Sequence, residues 1–160
     1  MTVVFWTGFF GGFASLMLRT QLFGPQGLGL LVGTLACASA ADIFAFFGGS
    51  VLGRHQLAPR ISPGKTVEGV LIGAVASVLV GWLLVSQLHP FGVGSGLALG
   101  VVAAVMAPLG DLAESAFKRQ VKVKDSSNLL PGHGGMLDRI DGILFTLPVA
   151  FYLFMILHLK

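Results

Sequence analysis

The sequence has 160 residues, of which 54% are apolar and 11% are charged, and its mean hydropathy is +0.86. This composition excludes a disordered chain, and the apolar surface is more than one soluble core of this length could bury. The formal net charge of +3 is too small to indicate nucleic-acid binding. With Cys37 as the single cysteine, the chain can form no internal disulfide and no cysteine-rich metal site. The figures predict a small integral membrane protein.

Apolar stretches follow one another along the chain, and each approaches the roughly 20 residues that a membrane helix needs. They predict a single all-α membrane domain over residues 1–160, with about five spans at residues 3–18, 27–47, 67–86, 91–110 and 142–159. Glycines recur inside these stretches, at Gly29 and Gly33 and again between Gly92 and Gly100. In lipid such small-residue faces allow close packing of helices, and they also predict a homodimer, because one chain offers them few partners.

Two polar segments, residues 54–66 and 111–141, hold eight of the ten basic residues. With five spans they lie on the same side of the membrane. The positive-inside rule makes both segments cytoplasmic and puts the N-terminus on that side as well. Any chemistry is therefore expected in these two segments, at the cytoplasmic membrane surface.

The acidic residues include one inside a predicted span, Asp42. A charge in that position must face a polar cavity, a partner or an ion, and a structural ion pair with Lys or Arg is the alternative to a functional role. Asp111 ends the fourth span, and Asp138 and Asp141 lie three residues apart before the fifth. Three converging carboxylates predict a Mg²⁺ site, since Mg²⁺ prefers oxygen ligands. Capping of the last helix is the alternative for Asp141.

Polar residues continue past the fourth span at helical spacing, which predicts that this helix extends beyond the membrane. The basic residues there either bind phosphate or anchor the helix at the lipid headgroups. A glycine-rich loop around His133 follows, whose backbone N–H groups can approach a phosphate closely. His133 either contacts phosphate or serves as an acid and base, or it holds the loop in shape.

The segment before the third span ends in Ser62, Lys65 and Thr66. Ser62 or Thr66 can cap the helix, and its N-terminus, together with Arg60 and Lys65, forms a predicted anion site. The sequence contains no Walker A loop, dinucleotide fingerprint, zinc-protease motif or serine-hydrolase elbow. Acidic metal ligands and phosphate binders at a lipid surface predict phosphoryl or nucleotidyl transfer to a lipid.

A long pattern in the last third of the chain has a familiar spacing. It reads Ser115-x-Phe117-Lys118-Arg119, four residues, then Lys124-Asp125-x-Ser127-x-x-Leu130-Pro131-x-His133-Gly134-Gly135-Met136-x-Asp138-Arg139-Ile140-Asp141. This pattern resembles the signature of the phosphatidate cytidylyltransferases, also called CDP-diacylglycerol synthases. Residues 41–46 and 57–69 are similar to that family too, so the resemblance covers roughly residues 35–150.

The resemblance implies an all-helical, dimeric enzyme of a bacterial inner membrane. It implies that CTP and phosphatidic acid give CDP-diacylglycerol and pyrophosphate with Mg²⁺. Metal ligands fall on Asp111 and Asp138, with Asp141 at the last signature position. Catalytic and substrate contacts are expected from Arg60, Ser62, Lys65, Thr66, Ser115, Lys118, Arg119, Lys124, Asp125, His133, Gly134, Gly135 and Arg139. Alternatives are an ether-lipid phosphate as acceptor, a CTP-dependent lipid kinase, a transporter, and a non-catalytic membrane subunit.

Overall fold

The computed structural model describes residues 2–59, 61–88, 91–120 and 141–158. Apart from turns and short connections, these described residues are helical except for one short hairpin. Its elements are α1 (Thr2–Met17), α2 (Thr20–Phe23), a 3-10 turn (Gly24–Gln26), α3 (Gly27–Leu52), β1 (Gln56–Ala58), β2 (Ser62–Thr66), α4 (Val67–Val85), α5 (Val93–Gln120) and α6 (Asp141–His158).

Three of the described helices, α3, α4 and α5, are long and apolar enough to cross a membrane. The predicted class, an all-α integral membrane protein, is confirmed. The apolar segments found in α1 and α6, Gly8–Met17 and Gly142–Leu157, are shorter, so the assignment of membrane spans to these two helices stays a prediction. Helix α5 continues to Gln120, ten residues beyond the predicted end of its span at residue 110, which agrees with the helical spacing of polar residues there.

Helix α4 divides its surface by residue size. Every fourth residue on one face is buried, and most of them are small: Gly69, Gly73, Ser77, Gly81 and Val85. Large apolar side chains cover the opposite face and are exposed: Leu71, Val75, Leu79 and Leu83. The small face lets neighbouring backbones approach, and the large face suits contact with lipid. This pattern packs α4 between α3 and α5, which hold the candidate site.

Part of the predicted small-residue faces is occupied within this one chain, whereas Gly92 and Gly94 have open space beside them. A Cβ at Gly29 would lie 2.9 Å from Leu88 Cδ1, and one at Gly33 would lie 2.7 Å from Val85 Cγ2. Gly96 and Gly100 pack against the backbone of α4. These four glycines therefore form close helix contacts, as predicted, and for them the argument that one subunit offers no partners is wrong. A homodimer is supported by the family resemblance alone.

One side-chain hydrogen bond joins α4 to α5 inside the bundle. Buried Ser77 Oγ donates to Gly100 O at 3.0 Å. Replacing Ser77 with alanine is expected to lower the free energy of unfolding by about 0.6 kcal/mol, the average for such bonds between membrane helices. Ser86→Ala is the matched control, because Ser86 follows the last residue of α4 and its hydroxyl bonds to Trp82 O in the last turn of that helix, with no bond to α5. Denaturation in mild detergent measures both; an equal loss for the two variants would contradict the prediction.

A cluster of aromatic side chains joins α1 and α6. Phe13 of α1 contacts Phe151 of α6 edge to face, with ring centroids 5.5 Å apart, and Phe23 contacts the same ring. Phe91, just before α5, meets Phe154 at 5.3 Å. This cluster lies away from the polar end of the bundle, so it supports the arrangement of helices and takes no part in the site.

The segment predicted as a polar loop, residues 54–66, contains an antiparallel hairpin. Gln56 pairs with Thr66, and Ala58 pairs with Ser62. Ile61 N donates to Ala58 O at 3.1 Å and closes the turn, and Pro59 follows Ala58, at the turn position where proline is favoured. The turn was therefore readable in the sequence, although strands this short carry no detectable hydrophobic alternation.

Candidate active site

A cleft of about 240 Å³ opens where three helices and the hairpin meet. Helix α3 provides one wall, strand β2 and the first turns of α4 provide another, and α5 provides the third. The lining residues are Asp42, Ala45, Phe46, Gly49, Ser50, Gly64, Lys65, Thr66, Val70, Pro108 and Asp111. Six of these residues are apolar or glycine and five are polar, as expected for a site at the boundary between lipid and water.

Three charged side chains face this cleft. Lys65 Nζ forms an ion pair with Asp111 Oδ2, joining β2 to α5 across 46 positions of sequence. Both side chains are partly exposed, at 22% for Lys65 and 31% for Asp111, so solvent and small ions reach the pair. Asp42 lines the same cleft from α3. Two predicted site residues, Asp111 and Lys65, are thus brought together, and a carboxylate from the predicted second span joins them.

The start of α4 forms the wall beside Lys65. Thr66 has extended backbone angles and its Oγ1 accepts a hydrogen bond from Gly69 N at 3.2 Å, so Thr66 is the N-cap of α4. Of the two predicted caps, Thr66 is therefore the right one. Ser62 lies in β2 and does not line the cleft. The predicted combination of a helix N-terminus with Lys65 is present.

The predicted residues farther along α5 have other contacts. Lys118 Nζ lies 3.5 Å from Oε2 of buried Glu114, one turn earlier on the same helix. Arg119 Nε donates to Ile61 O of the hairpin at 3.4 Å. Ser115 follows Glu114 directly in sequence, and none of Ser115, Lys118 and Arg119 lines the cleft. In this structure Arg119 connects α5 to the hairpin, which brings the two predicted polar segments into contact.

Several predicted site residues lie outside the described residues: Arg60, Lys124, Asp125, His133, Gly134, Gly135, Asp138 and Arg139. Asp141 begins α6, and the next residue, Gly142, lies close to Asp42 of α3 and Ala107 of α5. A Cβ on Gly142 would lie 3.2 Å from Asp42 Oδ2 and 3.0 Å from Ala107 O. Within the described ranges no three His, Cys, Asp or Glu side chains are grouped as a metal site. The predicted set of Asp111, Asp138 and Asp141 stays a prediction.

Two polar residues of the cleft, Asp42 and Ser50, were missing from the predicted site. Asp42 had a sequence signal, since a carboxylate inside an apolar span indicates a polar cavity, a partner or an ion. The sequence did not reveal that this cavity also contains Asp111, which is 69 positions away. Ser50 had no comparable signal, because its hydroxyl bonds to Phe47 O of its own helix, as serines in many helices do.

Comparison with known proteins decides the family. The model of the cytidylyltransferase family matches residues 1–157. The chain belongs to this family. It is 46% identical over 134 residues to a phosphatidate cytidylyltransferase of Synechocystis sp., covering 83% of this chain and 45% of the relative. A phosphatidate cytidylyltransferase of Brucella abortus is 44% identical over 149 residues, which is 91% of this chain and 54% of that protein.

Another relative, the uncharacterized protein YnbB of Escherichia coli, is 38% identical over 157 residues, covering 95% of this chain and 53% of YnbB. The chain spans about half the length of the curated relatives it matches. The resemblance inferred from the signature between Ser115 and Asp141 is thereby confirmed at the level of the family.

Proposed function

We propose that this protein transfers a cytidylyl group from CTP to phosphatidic acid, giving CDP-diacylglycerol and pyrophosphate. The observation that carries the proposal is the pairing of Lys65 with Asp111 in a cleft that also holds Asp42. A cation for phosphate and carboxylates for a metal are what this chemistry needs, and two relatives over most of this chain are phosphatidate cytidylyltransferases.

The donor set of the cleft fits Mg²⁺. Asp42 and Asp111 supply carboxylate oxygens, and the cleft has room for the water and phosphate ligands that Mg²⁺ retains. Asp111 would hold the ion together with Asp138, to which the family resemblance assigns the same task. Asp141 would join them as the third of the carboxylates that the sequence predicts to converge. When bound, Mg²⁺ would neutralise charge on the triphosphate and stabilise the departing pyrophosphate.

The chain's own residues bind and orient the substrates. The Lys65 ammonium group attracts phosphate oxygens, and the N-terminal end of α4 adds a partial positive charge beside it. Phe46 and Val70 line the apolar part of the cleft and suit the lipid portion of the acceptor. Lys118, Arg119, Lys124 and His133 are proposed to contact the triphosphate and the lipid phosphate during turnover.

The reaction needs no strong base. A phosphate oxygen of phosphatidic acid attacks the α-phosphorus of CTP, a new P–O bond forms, and the bond to the β-phosphate breaks as pyrophosphate leaves. A phosphate monoester is already ionised near neutral pH. A site with cations and carboxylates but without a catalytic triad is therefore sufficient.

The cellular setting is part of the proposal. A bacterial inner membrane, with the hairpin and the residue 111–141 segment in the cytoplasm, agrees with the placement of eight of ten basic residues in those two segments. This orientation gives the cleft access to cytoplasmic CTP. The dimer with one site in each subunit follows from the family resemblance.

Product analysis tests the proposed reaction. Purified protein in phosphatidic acid vesicles with Mg²⁺ and CTP labelled at the α-phosphate should give labelled CDP-lipid, and label at the γ-phosphate should appear in pyrophosphate. In parallel vesicles that contain a lipid alcohol such as diacylglycerol, a lipid phosphate labelled from the γ-position, with release of CDP, would instead indicate a kinase. Turnover with an ether-lipid phosphate but not with phosphatidic acid would identify the ether lipid as the acceptor. No product with either lipid would support a non-catalytic subunit.

A further inference from the structure

One carboxylate closes the base of the hairpin. Glu68 Oε2 accepts hydrogen bonds from the backbone nitrogens of Arg54 at 3.1 Å and His55 at 3.2 Å. Glu68 Oε1 lies 2.5 Å from His55 Nδ1. A hydrogen bond between backbone atoms, from Val67 N to His55 O at 2.9 Å, lies beside these contacts. Glu68 thus joins the first turn of α4 to the chain that leaves α3.

Lys65 belongs to the loop that Glu68 closes. It lies three residues before Glu68, in strand β2, and its ammonium group reaches Asp111 on α5. The path of the main chain between Arg54 and Glu68 fixes where β2 runs, because the hairpin is anchored at both ends there. Beyond this base, Arg119 contacts the hairpin through a bond of 3.4 Å to Ile61 O, and Lys65 contacts α5 through its own ion pair with Asp111. The position of Lys65 over the cleft therefore depends on the base of the hairpin, which Glu68 closes.

We propose that Glu68 is a positioning residue for nucleotide binding, which acts by holding Lys65 over the cleft. The inference rests on the proposed function, since it takes the cleft as the CTP site. Glu68 itself does not line the cleft, so its effect passes through the hairpin. Its carboxylate binds two backbone N–H groups and an imidazole at once, which fixes both ends of the loop.

A purely structural role makes a different prediction. Glu68 lies in the first turn of α4, where a carboxylate also stabilises a helix through its dipole. Loss of that effect would lower the stability of the protein and leave Lys65 and Glu68 energetically independent. A positioning role instead couples them, because a variant without Lys65 has no ammonium group left to misplace.

The test is a double-mutant cycle on Glu68→Ala and Lys65→Met, with equilibrium binding of labelled CTP to the protein in nanodiscs. Glu68→Ala is expected to weaken CTP binding about tenfold in the wild-type background and less than twofold when Lys65 is methionine. In steady state the KM for CTP should rise about tenfold while kcat changes less than twofold. Equal effects of Glu68→Ala in both backgrounds would overturn the inference.

Gln56→Ala is the matched control, because Gln56 Nε2 makes one exposed hydrogen bond, to Pro63 O, within the same hairpin. It should change CTP binding less than twofold.

Trypsin gives a readout without nucleotide: cleavage after Arg54 and Lys65 should accelerate about tenfold in Glu68→Ala and little in Gln56→Ala. Unchanged cleavage in Glu68→Ala would overturn the inference even in an active protein. A wild type that binds no CTP would refute the proposed function, and the trypsin result would still decide whether Glu68 holds the hairpin.

Discussion

Replacing Asp111 with asparagine is expected to lower CDP-lipid synthesis by about a hundredfold or more while leaving the protein folded. The substitution keeps the shape of the side chain and removes the negative charge that faces Lys65 in the cleft. An amide is a poor substitute for a carboxylate at a Mg²⁺ site, and the charge of the triphosphate would then be compensated less well. Initial rates at saturating CTP and Mg²⁺, with unfolding monitored in the same detergent, measure both effects.

Glu114→Gln provides the contrast on the same helix. Glu114 is buried one turn beyond Asp111 and contacts Lys118, but it does not line the cleft. Its neutralisation should act mainly on stability, because the Lys118 ammonium group loses a charged partner in a buried setting. Near-normal Mg²⁺-dependent turnover in Asp111→Asn would contradict the assignment of Asp111, whatever Glu114→Gln does.

Replacing Gly81 with alanine is expected to destabilise the helix bundle by about 3 kcal/mol, the upper end of the usual range for overpacking. A Cβ at Gly81 would overlap the carbonyl oxygen of Gly96 and lie 3.0 Å from Gly100 N, and backbone atoms cannot move aside as a side chain can. Helices α4 and α5 would have to separate, and the bond from Ser77 to Gly100 would be lost with the contact. The yield of monodisperse protein and its unfolding temperature in detergent report the change.

Gly94→Ala is the control for this substitution. Gly94 lies in the first turn of α5 with open space where a Cβ would point. Since alanine favours helix more than glycine does, this variant should change stability by less than about 1 kcal/mol, in the stabilising direction. Equal destabilisation at Gly81 and Gly94 would mean that the close approach of α4 and α5 does not limit stability.

The fold was predictable to a large extent because membrane helices carry their signal in single segments. The composition predicted the class, an all-α membrane protein. The apolar stretch that begins at Val67 predicted α4, and the polar spacing after Asp111 predicted the extension of α5. The partners of the glycines were not predictable, because a small residue indicates close packing but not which helix comes close. Gly96 was expected to face a second subunit and packs against α4.

The site was predictable where a residue type is costly or diagnostic. Asp42 and Asp111 stand out in an apolar sequence, and Lys65 stands out beside a helix start. Their meeting was not predictable from spacing, because it depends on a hairpin that reverses the chain between α3 and α4. Pro59 marks that turn, but strands of three and five residues are too short for a periodic pattern.

Helix α5 is one unbroken element from Val93 to Gln120. Asp111 is its nineteenth residue, about 27 Å along the axis from Val93, close to the roughly 30 Å thickness of the hydrocarbon layer. With Val93 at the far surface of the membrane, this length would place the carboxylate at the depth of the lipid headgroups. The proposed lipid acceptor would then present its phosphate there with its acyl chains still in the bilayer and would arrive by two-dimensional diffusion. The rate then depends on the mole fraction of acceptor in the membrane, and its bulk concentration has no direct effect.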